Sequence, residues 1–141
     1  MTVRMKAGVP ILPCADLEAM MAFYVDRLGF ERRWAWHDPK RPDRAPTDGG
    51  VGCGDVQIFF MTDADLAARS ADRELMIFTE DVDAQYRDHV ARGAPVTSEP
   101  VEEPWEMREY IVIDPHGNRL RFAEGLEYVR ARAAREEGEQ P

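Results

Sequence analysis

The amino-acid sequence predicts an α+β fold in which two paired βαβββ modules form curved mixed sheets. The first observation is a repeated order: a short apolar strand, an acid-capped helix that ends at glycine, and then further strands. The second is spacing, because the two helices begin near residues 16 and 83, about 67 residues apart. The third is length, since 141 residues suit one domain made of two such halves.

The domain boundaries follow from this repeat. We expect a single domain over residues 1–126, with module one at about 4–62 and module two at about 73–124. Residues 127–141 then add a charged C-terminal helix and tail.

Module one begins with a strand and a capped helix. Residues 7–13 are expected to form the strand, and Pro10 and Pro13 restrict it to a sheet edge or an arm, because proline lacks the N–H donor. Asp16 caps the helix that follows, and Gly29 ends it.

The rest of module one is predicted to be strands around a polar loop. Residues 30–36 alternate as a strand, 39–50 form a loop rich in Pro, Gly and Asp, and 55–61 form the next strand. The glycine-rich run at 49–54 precedes that strand and opens no helix, so a dinucleotide site is not expected.

Module two repeats the order after a polar stretch. Its helix is capped by Asp81 or Asp83 and ends at Gly93. The other predicted elements are the polar stretch 62–73, the strand 75–78, an irregular segment 97–107, the strands 109–114 and 119–123 joined by the turn DPHGN, and a helix over 125–137.

Composition narrows the classes of function. The chain has 27 acidic and 18 basic residues, a net charge of −9, which repels nucleic acid and favours a cationic small molecule or a basic partner, unless the acidity serves only solubility. No apolar run is long enough to span a membrane, and no signal-peptide core is evident, so we expect a cytoplasmic protein. Cys14 and Cys53 are predicted to be free thiols.

Large apolar side chains are the best candidates for a binding surface. They fall in pairs on shared strand faces, and an indole often lines a pocket mouth because its N–H needs a partner. The alternative is that they fill the core. The candidates are Trp34 and Trp36, Phe59 and Met61, Met76 and Phe78, and Trp105; Asp38 and Glu106 are candidate acids at the rim.

The three histidines give no sign of a metal site. His37 adjoins a loop, His89 lies on a helix among charged residues, and His116 occupies a turn. They lack the spacing of paired ligands, so each is expected to be an ordinary surface histidine.

Three stretches resemble the bleomycin-resistance proteins of the vicinal-oxygen-chelate (glyoxalase/bleomycin resistance/dioxygenase) superfamily. They are PILPCADLEAMMAFYVDRLGFE, EDVDAQYRDHVARG and PWEMREYIVIDPHGNRLRF, and the resemblance runs over about residues 7–124. It implies the glyoxalase-like fold and a domain-exchanged homodimer with drug crevices between subunits. Pro10 matches a proline of the exchanged arm, and Trp34, Phe59 and Trp105 match aromatic residues that sandwich flat drug rings.

The resemblance also implies where enzymes of the superfamily hold a divalent metal. The matching positions are Val9, a position close to Phe59, one within 74–76 and Arg121. Only Glu74 could be a ligand, and a catalytic site needs about three. We therefore expect no metal, no cofactor and no catalytic residues.

The predicted function is sequestration of a bleomycin-type drug, which gives antibiotic resistance without catalysis. Two alternatives stay open: a metal-dependent thiol transferase, lyase or dioxygenase supported by Glu74 alone, and a self-resistance protein for another natural product such as an enediyne. The predicted ligand-binding residues are Trp34, Trp36, Phe59, Met61, Met76, Phe78, Trp105, Met107 and Arg108.

Two details of the last hairpin qualify that set. Glu106 stands where the family usually has glycine, so the loop carrying Trp105 is expected to take another shape, because Glu disfavours positive φ. Arg108 either holds the loop through an ion pair or contacts the ligand.

The loop 37–50 is longer than in close relatives, which leaves a ligand other than bleomycin open.

Overall fold

The computed structural model describes residues 2–70 and 72–139. The chain divides into two compact units, Met1–Ser70 and Ala71–Pro141, and each contains one four-stranded sheet with parallel and antiparallel pairs. The predicted α+β fold with two mixed sheets is confirmed.

Unit one is a sheet covered by helix α1. Strand β1 lies at the sheet edge, as expected for a strand that contains Pro13, and pairs in parallel with β4. The sheet order is β1-β4-β3-β2. The elements are β1 (Ile11–Cys14), α1 (Leu17–Leu28), β2 (Glu31–Trp36), β3 (Asp48–Cys53), β4 (Val56–Thr62) and α2 (Ala64–Arg69).

The ends of α1 are those that the sequence predicts. The side chain of Asp16 accepts a hydrogen bond from the Ala19 N–H at 3.1 Å, and Gly29 closes the helix at φ 77°. One face of α1 is buried, and Tyr24 packs on Phe60 of β4 with ring centroids 5.0 Å apart.

Two elements of unit one were not predicted. Strand β3 includes the end of the predicted loop 39–50 and most of the glycine-rich run at 49–54. Most of that run is therefore itself a strand. Helix α2 lies within the predicted polar stretch, capped by the Asp63 side chain on the Leu66 N–H at 2.9 Å. Glycines show no alternation of side chains, so the strand signal was missing.

Unit two repeats the arrangement, with α3 on one face of its sheet. The sheet order is β5-β8-β7-β6. The elements are β5 (Glu74–Phe78), α3 (Val82–Ala91), β6 (Val101–Glu103), β7 (Met107–Ile113), β8 (Arg119–Gly125) and α4 (Leu126–Glu139). Strand β6 lies inside the predicted irregular segment, and residues 140–141 of the predicted tail lie outside the described residues.

Asp81 is the cap of α3, since its side chain accepts from the Ala84 N–H at 3.0 Å. Asp83 is therefore free of the capping role and binds Arg108 instead. The glycine at the end of the helix, Gly93, has φ 74°.

The prediction that His89 is a surface residue is wrong, because its side chain is fully buried. Its Nε2 lies 3.1 Å from Gln85 Nε2, and its Nδ1 shares a hydrogen bond of 2.9 Å with the Tyr110 hydroxyl. Burial, with a smaller contribution from Asp88, raises the pKa of Tyr110 above its ordinary range. His89 follows Val82 by seven residues, so helical periodicity brings it to the buried face despite charged neighbours.

The other two histidines and the two cysteines differ in burial. His37 is exposed and His116 is partly exposed in its turn. Cys14 is buried and Cys53 is exposed, and no disulfide joins the described residues. No helix in the described part of the chain is long and apolar enough to cross a membrane.

Candidate functional site

The open face of the first sheet, which is the face opposite α1, carries an aromatic row. Trp34 of β2 and Phe59 of β4 are both register partners of Gly50 on β3. Their rings meet edge to face over that glycine, with centroids 5.0 Å apart at 89°. A Cβ on Gly50 would lie 2.2 Å from Trp34 Nε1, so the indole occupies the space that a side chain would need.

Trp36 and Met61 extend the same row by one step. Both are register partners of Asp48, as Trp34 and Phe59 are of Gly50. Trp36 is half exposed and Trp34 is 37% exposed. The structure thus brings together the four ligand-binding candidates of unit one.

The open face of the second sheet, opposite α3, carries the candidates of unit two. Met76 and Phe78 alternate along β5 on this face, and Phe78 is 66% exposed. Met107 of β7 lies on the same face. It pairs with Gly125 on β8, four residues after Arg121 and on the same side of that strand, and Arg121 pairs with Met76. Sequence alternation predicted the shared face of Met76 and Phe78.

A charged network crosses this open face. The Arg121 guanidinium donates to Glu74 on one side, with Nε 3.0 Å from Oε1, and to Glu109 on the other. The hydrogen bonds that Arg121 donates to Glu74, which have the larger effect, and to Glu109 raise the pKa of Arg121. The buried carboxylate of Glu109 also accepts from the Trp105 indole N–H at 3.2 Å. Trp105 is therefore held by its N–H although its side chain is largely exposed.

These residues do not fit a catalytic metal. Arg121, at one predicted ligand position, has Met76 as its register partner, and its cation is bound to the carboxylates of Glu74 and Glu109. Phe59, at another predicted position, lies in the aromatic row. Within residues 2–70 and 72–139, no group of three or more His, Cys, Asp or Glu side chains is arranged to hold a metal ion.

The hairpin that carries Trp105 keeps the backbone that a glycine would give, contrary to expectation. Glu106 adopts φ 64°, and its N–H donates to the Glu103 carbonyl at 3.1 Å. A three-residue loop ending in a left-handed residue is a common hairpin connection. The surrounding strands impose this conformation on a residue that disfavours it.

Arg108 lies on the other side of the sheet. Its guanidinium donates to both carboxylate oxygens of Asp83 on α3 at 2.9–3.2 Å, and this hydrogen bonding raises its pKa. The geometry favours the ion pair over ligand contact. Of the two candidate rim acids, Asp38 accepts from the Lys40 N–H at 2.9 Å, and exposed Glu106 lies 3.4 Å from Arg130.

Sequence reasoning missed two residues of the second open face. Glu109, the anchor of Trp105, was not among the predicted ligand-binding residues, because an acidic residue on a strand does not by itself indicate a contact with an indole. Tyr128 of α4 is 63% exposed and lines, with Phe78 and Met107, a cavity of about 420 Å³. Helical spacing alone could not predict that Tyr128 packs over Gly125.

Comparison with known proteins gives a family match over most of the chain. The model that matches is described as the Glyoxalase/Bleomycin resistance protein/Dioxygenase superfamily, and it covers residues 6–122. No curated protein matches the chain.

Several solved structures share the fold. The bleomycin-binding protein from bleomycin-producing Streptomyces verticillus, complexed with copper(II)-bleomycin, is 26% identical with a TM-score of 0.70, covering 88% of this chain and 99% of that one. A bleomycin resistance determinant encoded on transposon Tn5 is 23% identical, TM-score 0.68, covering 86% and 98%. TioX from Micromonospora sp. ML1 is 18% identical, TM-score 0.71, covering 86% and 100%.

Proposed function

Because the chain belongs to the Glyoxalase/Bleomycin resistance protein/Dioxygenase superfamily, we propose that it is a non-catalytic protein that sequesters a bleomycin-type or related DNA-damaging drug in the cytoplasm. The observation that carries this proposal is the exposed aromatic surface on the open faces of both sheets. Trp34 and Trp36 on the first sheet, Phe78 on the second and Trp105 in the β6–β7 hairpin are 37–66% exposed.

The chemistry of these side chains suits flat heteroaromatic rings. Indole and phenyl rings offer large, rigid stacking surfaces at a small cost in conformational entropy. Trp34 is fixed against Phe59, and the Trp105 N–H is bound to Glu109, so both indoles are ordered before a ligand arrives. Preorganisation of this kind raises affinity because less freedom is lost on binding.

The charges of the chain favour a cationic drug. The net charge is −9, and we assign Asp38 and Glu106 to the rim of the crevice. Rim carboxylates act mainly on the association rate, because solvent screens their contribution to affinity.

We further propose a domain-exchanged homodimer with the drug crevice at the interface of two copies. The segment before β1 supports this, since Val3 and Met5 are 82% and 92% exposed and could be buried by a partner. Pro10 would mark the base of the exchanged arm. Light scattering tests the dimer, and a monomeric mass would contradict it.

The experiment for the function is a tryptophan-fluorescence titration with metal-free and copper-loaded bleomycin. We expect a saturable change at one drug per subunit, and a titration with free copper controls for quenching by the metal. Trp34→Ala and Trp105→Ala should each weaken binding by at least about 1 kcal/mol, roughly fivefold in Kd. If both variants bind as tightly as wild type, the proposed binding surface is wrong.

Titration with other natural products and a metal analysis distinguish the two alternatives. Saturable binding of another natural product, such as an enediyne, but not of bleomycin would favour a self-resistance protein with the same mechanism. A stoichiometric divalent metal that EDTA removes would favour a metal-dependent enzyme. Glu74, its only sequence support, is bound to Arg121, which argues against that alternative.

A further inference from the structure

Helix α4 lies beyond residue 122, where the family match ends. Leu126 is buried at its start, and Arg132 fixes its middle to the rest of unit two. The Arg132 guanidinium donates to Glu124 Oε1 at 3.0 Å and to the Glu80 carbonyl at 3.1 Å. Helix α4, which the family match does not cover, is therefore held against the ends of β5 and β8 by Arg132.

This helix forms one wall of a cavity of about 460 Å³. That volume lies in the range of small-molecule sites, which is roughly 300–1,000 Å³. The cavity exists because the residues on both of its walls are small, and two aromatic rings lie at its border. The apolar lining consists of Phe78, Ala123, Gly125, Tyr128 and Ala131.

The charges around the cavity largely cancel. Buried Glu124 is neutralised by Arg132, which also lies 3.4 Å from Asp81. The other charged lining residues, Glu80 and Arg135, are exposed and of opposite sign. A ligand with a net charge gains little here, whereas an uncharged apolar one buries surface at no electrostatic cost.

The two aromatic residues have unused faces. Phe78 and Tyr128 are 66% and 63% exposed, and neither ring pairs with another aromatic ring among the described residues. Gly125 sets the position of Tyr128, since a Cβ there would lie 3.2 Å from the tyrosine Cδ2. Exposed rings beside an apolar cavity are typical of a site for planar ligands.

We propose that the cavity between α4 and the ends of β5 and β8, called the α4 pocket, binds an uncharged, planar, fused-ring aromatic molecule. The ring system stacks on Phe78 and Tyr128 and fills the space beside Ala131. The α4 pocket depends on the helix outside the family match, and it does not require bleomycin to be the drug.

The test uses N-phenyl-1-naphthylamine, a neutral fused-ring probe whose fluorescence rises in apolar surroundings. We expect saturable binding at one probe per chain. Ala131→Leu, at an exposed helix position that lines the pocket, should weaken binding at least tenfold by filling it. Ala134→Leu adds the same side chain to the same helix away from the pocket lining, so it should bind the probe like wild type.

Three results would overturn the proposal. They are no saturable binding by wild type, equal affinity of wild type and Ala131→Leu, or equal weakening by both leucine variants.

Tyr128→Ala gives a second variant, expected to lose affinity with an unchanged far-ultraviolet circular dichroism spectrum. The two proposals share Phe78 but fail separately: wild type that binds the probe and not bleomycin would contradict only the drug surface, and Ala131→Leu that loses the probe but still binds bleomycin would show that the drug does not need the α4 pocket. A second copy covering the pocket would appear as a dimer that binds no probe, which also contradicts the proposal.

Discussion

At the scale of single residues, a glycine makes room for the aromatic pair on the open face of the first sheet. Gly50 lies between Trp34 and Phe59 across three neighbouring strands, and the two rings close over its bare backbone. Aromatic side chains from flanking strands commonly cover a strand glycine in this way. The orientation of the Trp34 indole therefore depends on the absence of a side chain at position 50.

Gly50→Ala should displace the indole and weaken drug binding about as much as Trp34→Ala. The added Cβ would lie 2.2 Å from Trp34 Nε1 and 2.9 Å from Phe59 Cδ1, which no small shift of one ring relieves. Tryptophan emission and the bleomycin titration measure the effect. Gly52→Ala is the matched control, since the three atoms nearest its added Cβ belong to the flexible end of the Arg33 side chain. Unchanged binding by Gly50→Ala would separate the indole position from the drug site.

A second residue carries backbone strain. Glu106 holds φ 64° in the hairpin next to Trp105, and the left-handed conformation costs a non-glycine residue about 1 kcal/mol or more. Its exposed ion pair with Arg130 contributes almost nothing in return.

Glu106→Gly should raise the free energy of unfolding by about 0.5–1 kcal/mol, because glycine adopts positive φ without a steric penalty. Denaturant unfolding at constant m value measures it. Glu106→Ala removes the same carboxylate but keeps the Cβ, so it should not stabilise. Equal stabilisation by both variants would assign the effect to charge and not to the backbone.

At the scale of elements, helices were easier to predict than strands. Asp16 and Gly29 mark the ends of α1 because capping depends on local chemistry, and the same holds for Asp81 at α3. Strand β3 escaped prediction because its glycines carry no alternating pattern. His89 was misjudged because its neighbours are charged, although its spacing from Val82 indicated the buried face.

The candidate site was predictable only in part for the same reason. Alternation placed Trp34 with Trp36 on one face of β2 and Phe59 with Met61 on one face of β4, because strand period is a local property. The anchoring of Trp105 by Glu109 depends on the shape of the β6–β7 hairpin, and the ion pair of Arg121 with Glu74 depends on the register between β8 and β5, which are far apart in the sequence. No spacing in the sequence reports that register.

Helix α4 shows which contact holds an added element. Apart from Leu126 its side chains are not buried, so apolar packing contributes little. Arg132 instead binds buried Glu124, and removing one partner of a buried ion pair leaves the other charge uncompensated.

Arg132→Met should therefore lower the free energy of unfolding by about 3 kcal/mol. Arg135→Met, one turn further along and without an ion pair among the described residues, should change it by less than about 0.5 kcal/mol. Guanidinium unfolding of both variants measures the difference. Similar losses in both would mean that α4 is held by something other than the Arg132 contact.

At the scale of the whole molecule, sequestration depends on capture as well as on affinity. A protein that performs no chemistry protects a target only by holding the drug, so it must meet the drug quickly. A net charge of −9 sets up a field that attracts cations over a distance comparable with the Debye length. Under the proposed function, the acidic residues would attract a cationic drug in addition to keeping the protein in solution.

The association rate for a cationic drug should consequently fall with salt, while that of a neutral probe should not. Stopped-flow mixing with bleomycin between about 0.01 M and 1 M salt, where the Debye length shrinks from about 30 Å to about 3 Å, should lower the rate at least about tenfold. N-phenyl-1-naphthylamine is the matched neutral ligand, and its rate should stay nearly constant, because its α4 pocket is close to neutral. The dissociation rate of bleomycin should change less than the association rate, since stacking on indole rings is not screened. An association rate independent of salt would show that the acidic residues serve solubility and do not steer the drug.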